Sequence, residues 1–134
     1  MEFKRKNFAS GAPLEEKVGY SRMVQAGPFV WVGGTTSVQP DGSVYGVGDA
    51  YEQTKYILEK QVKLLEQAGV KPEEVVKLDG FTTDMALGTE ISRAYSEIFH
   101  DIKPLFTLVG TPQLNRPEQL VEIEMQAVKG AIAE

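Results

Sequence analysis

Two stretches of alternating apolar and polar residues in the first third of the chain predict a β-hairpin. Residues 20–25 and 29–36 each have the two-residue period of a strand. Between them, Gly27 and Pro28 have the chemistry of a tight turn. On the second strand, one side carries Val30, Val32 and Gly34, and the other side carries Phe29, Trp31 and Gly33.

Two further stretches have the three- and four-residue spacing of amphipathic helices. The first covers residues 49–69. It opens with Asp49 and Glu52 in the pattern of a capping box and ends at Gly69, which suits a left-handed helix end. The second covers residues 91–99 and should stop near His100, because Pro104 disfavours helical geometry in the residue before it.

The remaining apolar runs predict strands over residues 75–83, 105–109 and 121–127, with a short strand around Val44. Strands outnumber helices, so the sequence predicts an α+β two-layer sandwich in which a mixed five- to six-stranded sheet carries both helices on one face. No repeat, charge block or low-complexity linker divides the chain. We therefore expect a single domain over residues 1–134, of which 1–18 form an extended N-terminal segment.

The uncovered face of this sheet predicts self-association. Two helices cover only one face, whereas the hairpin carries apolar side chains on both, among them Phe29 and Trp31. A large apolar surface left open on a sheet generally contacts another chain. Closed homo-oligomers are the commonest such arrangement, so we expect one here.

Composition excludes several kinds of chemistry. The 134 residues have a mass of 14.8 kDa and are 42% hydrophobic, as in an ordinary globular domain. Cysteine is absent and His100 is the one histidine, which excludes disulfides, thiol nucleophiles, cysteine-based zinc sites and multi-histidine metal centres. The glycines of 33–36 and 46–48 lack the further residues of a nucleotide-binding loop. We expect neither a metal nor another cofactor.

Charge and hydropathy narrow the range of expected partners and the expected location. The net charge is −5 and the pI is about 5.0, which disfavours nucleic acid as a ligand. No run approaches about 18 apolar residues, so we expect no membrane span. The first residues do not resemble a signal peptide, and we expect a cytoplasmic protein.

Three groups of residues are candidates for binding or catalysis. Tyr20 and Arg22 lie two apart on a predicted strand, where a phenol beside a guanidinium can hold a carboxylate; the alternative is a solvated edge strand. Glu122 lies in an alternating apolar strand, where burial by an oligomer would raise its pKa and suit it to proton transfer; the alternative is a plain polar face. The third group, which follows Pro104 and could offer backbone amides, is Phe106, Thr107 and Leu108.

The order and spacing of several motifs resemble a known family. They are the run at 27–34, the helix at 49–69, Val75-Val76-Lys77 with Phe81 and Asp84, Tyr95 with Phe99, Pro104-x-x-Thr107, and the strand at 121–127. Taken together, the sequence from Tyr20 to Val128 resembles the reactive-intermediate deaminase (Rid, or YjgF) family. The resemblance implies a chorismate-mutase-like fold and a homotrimer whose sheets form a central barrel, with small-molecule clefts between subunits. It also implies cofactor-free hydrolysis of an enamine or imine to a keto compound and ammonia.

The same resemblance implies roles for individual residues. Tyr20 matches a tyrosine of the family's cleft, Gly34 a glycine whose backbone lines it, and Glu122 a glutamate that positions water. Thr107 follows the position of an arginine that clamps the substrate carboxylate. The chain departs from the family at that arginine, where it has Phe106, and at an asparagine of the second helix, where it has Ser92.

These departures leave three interpretations. A divergent imine or enamine hydrolase would use Glu122 and a water molecule, with Arg22 supplying the carboxylate contact that Phe106 cannot make. A non-catalytic trimer would hold a small metabolite, such as a carboxylate, in the same cleft. An endoribonuclease fits the negative net charge least well.

Overall fold

The structure is a computed structural model that describes residues 2–134. Within these residues the chain forms six strands and three α-helices, and two single 3₁₀ turns precede β4 and α3. The strands are β1 (Arg5–Phe8), β2 (Met23–Ala26), β3 (Phe29–Thr35), β4 (Val75–Thr82), β5 (Leu105–Gly110) and β6 (Val121–Val128). The helices are α1 (Pro13–Val18), α2 (Ala50–Gln67) and α3 (Gly88–Phe99).

All six strands belong to one mixed sheet, which confirms the predicted α+β fold. Their order is β1-β2-β3-β6-β4-β5. Every neighbouring pair is antiparallel except β4 and β5, which are parallel and joined through α3. The predicted hairpin is present as β2 and β3, with Ala26 opposite Phe29 across the turn.

The core lies between the sheet and the two longer helices. On β6, Val121, Ile123, Met125 and Ala127 are buried, and they share one core with Ile57 of α2. Helices α2 and α3 contact each other, and Ile91 and Phe99 of α3 belong to the same core. The alternation of β6 therefore leaves its polar residues on the side of the sheet away from the helices: Glu122, Glu124 and Gln126.

That other side, which we call the open face, carries large apolar side chains in contact with solvent. Trp31 is 41% exposed, and Leu105 on the far edge strand is 67% exposed. Phe29 packs beside Trp31, with ring centroids 6.1 Å apart. The open face comprises the outward residues of β3 to β6: Phe29, Trp31, Lys77, Asp79, Phe81, Leu105, Thr107, Val109, Glu122, Glu124, Gln126 and Val128.

The expectation that residues 1–18 form an extended segment is wrong at Pro13–Val18, which form the helix α1. Arg5–Phe8 pairs with β2 as the edge strand, and Pro13–Val18 then forms a short helix. Pro13 has its φ preset for the first helical turn, and Gly19 ends the helix at a φ of 94°. The segment therefore belongs to the fold.

The hairpin and the first long helix also differ from the prediction in detail. The first strand begins at Met23, because the chain has only just left the helix end at Gly19, so Tyr20 and Arg22 precede it. Asp49 caps α2 as predicted by accepting from the backbone N–H of Glu52 at 3.0 Å. The Glu52 side chain does not return to the cap, since its carboxylate accepts from the Tyr45 hydroxyl at 3.2 Å.

The predicted strand around Val44 is reduced to a single bridge with Val38. None of the helices within residues 2–134 combines the length and the apolar character needed to span a bilayer.

Candidate functional site

An irregularity between β3 and β6 brings Glu122 against a glycine. The pairing register shifts between Val32 and Thr35, which spans Gly33 and Gly34. A Cβ atom built on Gly34 would collide with the carboxylate of Glu122, and it would lie 3.1 Å from that residue's Cδ. Glycine is therefore the residue that allows this close approach, and the carboxylate leans from β6 toward β3.

The environment of Glu122 favours its protonated form. The residue is half-buried on the open face. Burial raises the pKa of its carboxyl above the ordinary value of 4.5, the nearby Arg22 lowers that pKa, and Glu124 raises it further. Because burial is the largest of these effects, Glu122 holds a proton more readily than a solvated glutamate.

Arg22 lies beside this carboxylate and is anchored by protein groups on both sides. Its Nη1 donates to the backbone carbonyl of Gly34 at 2.7 Å. Its Nε lies 3.6 Å from a carboxylate oxygen of Glu15, whose side chain is 5% exposed. The guanidinium also lies 5.4 Å from the ring centroid of Tyr20. The structure thus brings together the four residues predicted near the first strands and β6: Tyr20, Arg22, Gly34 and Glu122.

Nothing in the sequence pattern indicated that Glu15 contributes to this site. It is the buried acid of α1, and its two carboxylate oxygens accept from the backbone N–H and the hydroxyl of Ser10. An acid on a six-residue helix has the pattern of a solvated surface residue. Glu15 is buried because it contacts both Ser10 and Arg22, and the pattern of residues along the chain does not indicate these contacts.

The other predicted residues lie elsewhere in the protomer. Phe106 and Leu108 point toward the helices, where Phe106 stacks on Tyr95 with ring centroids 4.2 Å apart. Ser92 is exposed on α3, while Thr107 is exposed on the open face. Within one chain, these residues do not share a site with Glu122.

The distance between Thr107 and Glu122 is set by the sheet. Phe81 pairs with Glu122 on one side, and Asp79, two residues away, pairs with Thr107 on the other. The usual strand spacing and rise put the Cα atoms of Glu122 and Thr107 roughly 12 Å apart. The carboxylate also leans away from β5. A single small ligand that contacts both positions would therefore need them from two different chains.

The remaining polar side chains of the open face offer no metal site. No group of three or more His, Asp or Glu residues within the described part of the chain could hold a metal ion. His100 is exposed at the end of α3, with its Nδ1 2.9 Å from Asp101. An open cleft of about 220 Å³ lies beside the register shift, and its wall includes Arg22, Trp31 and Glu124.

Comparisons with known proteins agree with this fold. The family described as Endoribonuclease L-PSP matches residues 11–129. An uncharacterised protein of Streptomyces coelicolor is 34% identical over 123 residues, which cover 92% of this chain and 91% of that protein. A RutC family protein of Pyrococcus abyssi is 32% identical over 110 residues, covering 82% of this chain and 86% of that one.

Solved structures show the same architecture. A member of the YjgF/YER057c/UK114 family from Mycobacterium tuberculosis has a TM-score of 0.83 and 34% identity, covering 93% of this chain and 99% of that one. A putative endoribonuclease from Thermotoga maritima has a TM-score of 0.79 and 31% identity, covering 94% of both chains. The protein therefore belongs to the YjgF/RidA family, with its chorismate-mutase-like fold. The resemblance seen in the sequence is confirmed.

Proposed function

We propose that the protein is a homotrimer that binds a small metabolite in clefts between subunits and hydrolyses an enamine or imine there without a cofactor. Glu122 is the residue proposed to handle the proton. The observation that carries this proposal is the position of its carboxylate: half-buried, held against Gly34 and beside Arg22, with a pKa raised by burial. A carboxyl whose pKa is raised in this way can take up a proton and give it back more readily than a solvated glutamate, so it can act in turn as a base and as an acid.

The open face supports the trimer. Trp31, Phe29 and Leu105 expose a large fraction of their apolar surface, although Phe3 packs edge-on against Phe29. Packing three such faces against one another would remove this surface from water. It would also deepen the burial of Glu122, which lies on the same face.

The hydrolysis proceeds in two steps at one carbon. In the first, the oxygen of a water molecule bonds to the carbon of the protonated imine, the π electrons of the C=N bond move to nitrogen, and Glu122 takes a proton from the water, which leaves a neutral carbinolamine. In the second, Glu122 returns that proton to the amine nitrogen, the C–N bond breaks as the hydroxyl oxygen forms a C=O bond, and the hydroxyl proton passes to the released ammonia, which leaves as ammonium. An enamine enters this sequence after protonation at carbon. The products are a keto compound and ammonia.

Binding is proposed to involve residues of two subunits. Tyr20, Arg22 and Gly34 surround Glu122 in one chain, and Thr107 of β5 would come from a neighbour. Two further residues of the proposed lining, Leu108 and Ser92, lie on the helix side of the sheet or on α3. We propose that they act by shaping the end of β5 and the α3 surface rather than by contacting the reacting atoms.

Phe106 determines how a substrate carboxylate can be bound. Its ring is stacked on Tyr95, so it fills the helix side of β5 instead of presenting a charge to the cleft. A substrate carboxylate would therefore depend on Arg22, which already donates to Gly34. We propose that a carboxylate is held by the remaining N–H groups of Arg22, and that a substrate without one is also accepted.

A second candidate, a non-catalytic binding trimer, is favoured by the same stacked Phe106. Without the family's arginine, charge-assisted binding of a carboxylate weakens, so the cleft could hold a metabolite without turning it over. Endoribonuclease activity, which the names of the matched family and the Thermotoga protein suggest, is the least favoured. The net charge is −5, and β6 places two glutamates, Glu122 and Glu124, on the open face, which opposes binding of an RNA backbone.

The test is a hydrolysis assay with matched glutamate variants. An imine is generated continuously from an amino acid by an oxidase, and ammonia and keto product are measured against the spontaneous rate. We expect acceleration by the wild-type protein, a loss of about 10²-fold or more in Glu122→Gln, and retention of activity at neutral pH in Glu124→Gln. No rate above the spontaneous one, together with calorimetric binding of the keto product, would establish the non-catalytic alternative. Cleavage of RNA by a preparation in which Glu122→Gln is as active as wild type would point to a contaminant.

A further inference from the structure

A second cleft lies on the helix side of the fold, away from the open face. Its volume is about 250 Å³, and it is bounded by the loop after β1, the end of β3 and one side of α2. The side chain of Leu64 forms an apolar part of the cleft wall. The polar side chains that line it are Ser10, Arg22, Thr35, Lys60, Gln61, Lys63 and Gln67.

The charges around this cleft do not balance. Arg22, Lys60 and Lys63 are cations, and Glu15 is the acid beside them. Both carboxylate oxygens of Glu15 already accept from Ser10. Burial lowers the pKa of Lys60, and the charge of Arg22 lowers it further, so the two cations are close enough to repel. In a chain with a net charge of −5, such a local excess of positive charge attracts small anions.

Two unpaired atoms border the same cleft. Within residues 2–134, the buried side-chain atoms without a hydrogen-bond partner are Nε of Arg22, a donor, and Oε1 of Gln61, an acceptor. The amide of Gln61 is oriented by its Nε2, which donates to the backbone carbonyl of Ile123 at 2.8 Å. Both residues line the cleft. Nε of Arg22 already faces the Glu15 carboxylate at 3.6 Å, just beyond hydrogen-bond distance, whereas no donor faces Oε1 of Gln61. A buried acceptor left unpaired is costly, so the Gln61 oxygen favours a ligand that offers a donor group.

We propose that this cleft binds a small oxyanion that also carries a hydroxyl group. The oxyanion is held by Arg22, Lys60 and Lys63, and the hydroxyl donates to Oε1 of Gln61. Two ligand sources share this chemistry: orthophosphate, which carries an O–H group at neutral pH, and short hydroxycarboxylates.

The proposed anion site is separate from the site of Glu122. Glu122 lies on the open face, whereas Lys60, Gln61 and Lys63 belong to α2 on the opposite side of the sheet. Neither lysine contributes to the proposed hydrolysis. Arg22 is the residue common to both sites, so it is not used to test either one alone.

Calorimetry with four anions tests the ligand class. Orthophosphate and glycolate carry a hydroxyl, while sulfate and acetate are their counterparts without one at neutral pH. We expect one phosphate or glycolate per chain with a Kd of about 1 mM or below, and binding several-fold weaker for the counterpart that lacks the hydroxyl. The stronger of phosphate and glycolate identifies the source. No binding by either, or equal affinity within each pair, would overturn the proposal.

Lysine variants locate the site. Replacing both Lys60 and Lys63 by Met should weaken binding of the preferred anion by roughly tenfold or more, since two charges are lost. Lys55→Met, which removes an exposed charge from the same helix outside the cleft, should bind as wild type does. If the double variant does not fold, the single change Lys63→Met at an exposed position replaces it in this test and should also weaken anion binding. Glu122→Gln should keep its anion binding, so failure of the hydrolase proposal leaves this test intact. Equal affinities in all the lysine variants would overturn the site.

Discussion

At the scale of single residues, Glu122 and Gly34 depend on each other. The carboxylate lies where any larger residue than glycine at position 34 would place its Cβ. This contact holds the acid close to the guanidinium of Arg22 without a direct ion pair among the salt bridges found in residues 2–134. The acid therefore keeps a raised pKa although a cation lies nearby.

Opposite shifts in a pH profile test this environment. Hydrolysis needs ionised Glu122 as the base, so kcat/KM should rise with pH through a pKa above 4.5. Arg22→Ala removes the charge that lowers this pKa, so the rise of kcat/KM on the acidic side of the profile, the acid limb, should move to higher pH. Glu124→Gln removes a charge that raises it, so the limb should move to lower pH. Profiles of kcat/KM for the three proteins give the result. Shifts in the same direction, or none, would contradict the assigned electrostatics.

Part of this site was visible in the sequence. The alternation of residues 121–127 placed Glu122 on one face of a strand, and the spacing of Tyr20 and Arg22 placed them side by side. Their contact arises differently, through the bend that follows the helix end at Gly19. The proximity of Arg22 to Glu122 depends on which strands pair, and β3 pairs with a strand about ninety residues later in the chain. Local patterns do not contain that information.

At the scale of elements, α2 shows how one cap contributes to the fold. Asp49 satisfies the N–H of Glu52, which has no partner inside the helix. Asp49→Ala should lower the free energy of unfolding by about 1 kcal/mol, as measured by urea denaturation. The exposed Glu59→Ala on the same helix should change it by less than about 0.5 kcal/mol. Equal effects of the two changes would show that the cap does not stabilise α2.

The elements that sequence reasoning missed are the short ones. β1 consists of Arg5–Phe8, of which Phe8 alone is buried, so it lacks the apolar alternation of a strand. β1 is nevertheless a strand, because its backbone pairs with that of β2. The two long helices and the strands β3, β4 and β6, which were predicted, each bury apolar residues at a regular spacing, and that spacing is what periodicity detects.

At the scale of the whole molecule, the open face should control assembly. Trp31→Glu places a charge in the proposed subunit contact, so the protein should change from three chains of 14.8 kDa to one in sedimentation velocity. Val47→Glu introduces the same charge at a loop residue that is 67% exposed and outside that face. We expect this control to remain a trimer. A trimer in both variants would place the subunit contact elsewhere.

Mixing two inactive variants tests most directly whether neighbouring chains share the catalytic cleft. Glu122→Gln removes the proton-transfer group from one chain, and Thr107→Trp blocks the position proposed to come from its neighbour. Each variant alone should hydrolyse the imine at about the spontaneous rate. When they are unfolded together in equal amounts and refolded, each mixed trimer regains one intact cleft, so activity should return to about a quarter of the wild-type value. Activity that stays at the spontaneous rate in the mixture, when refolded wild type is active, would contradict a cleft built from two subunits.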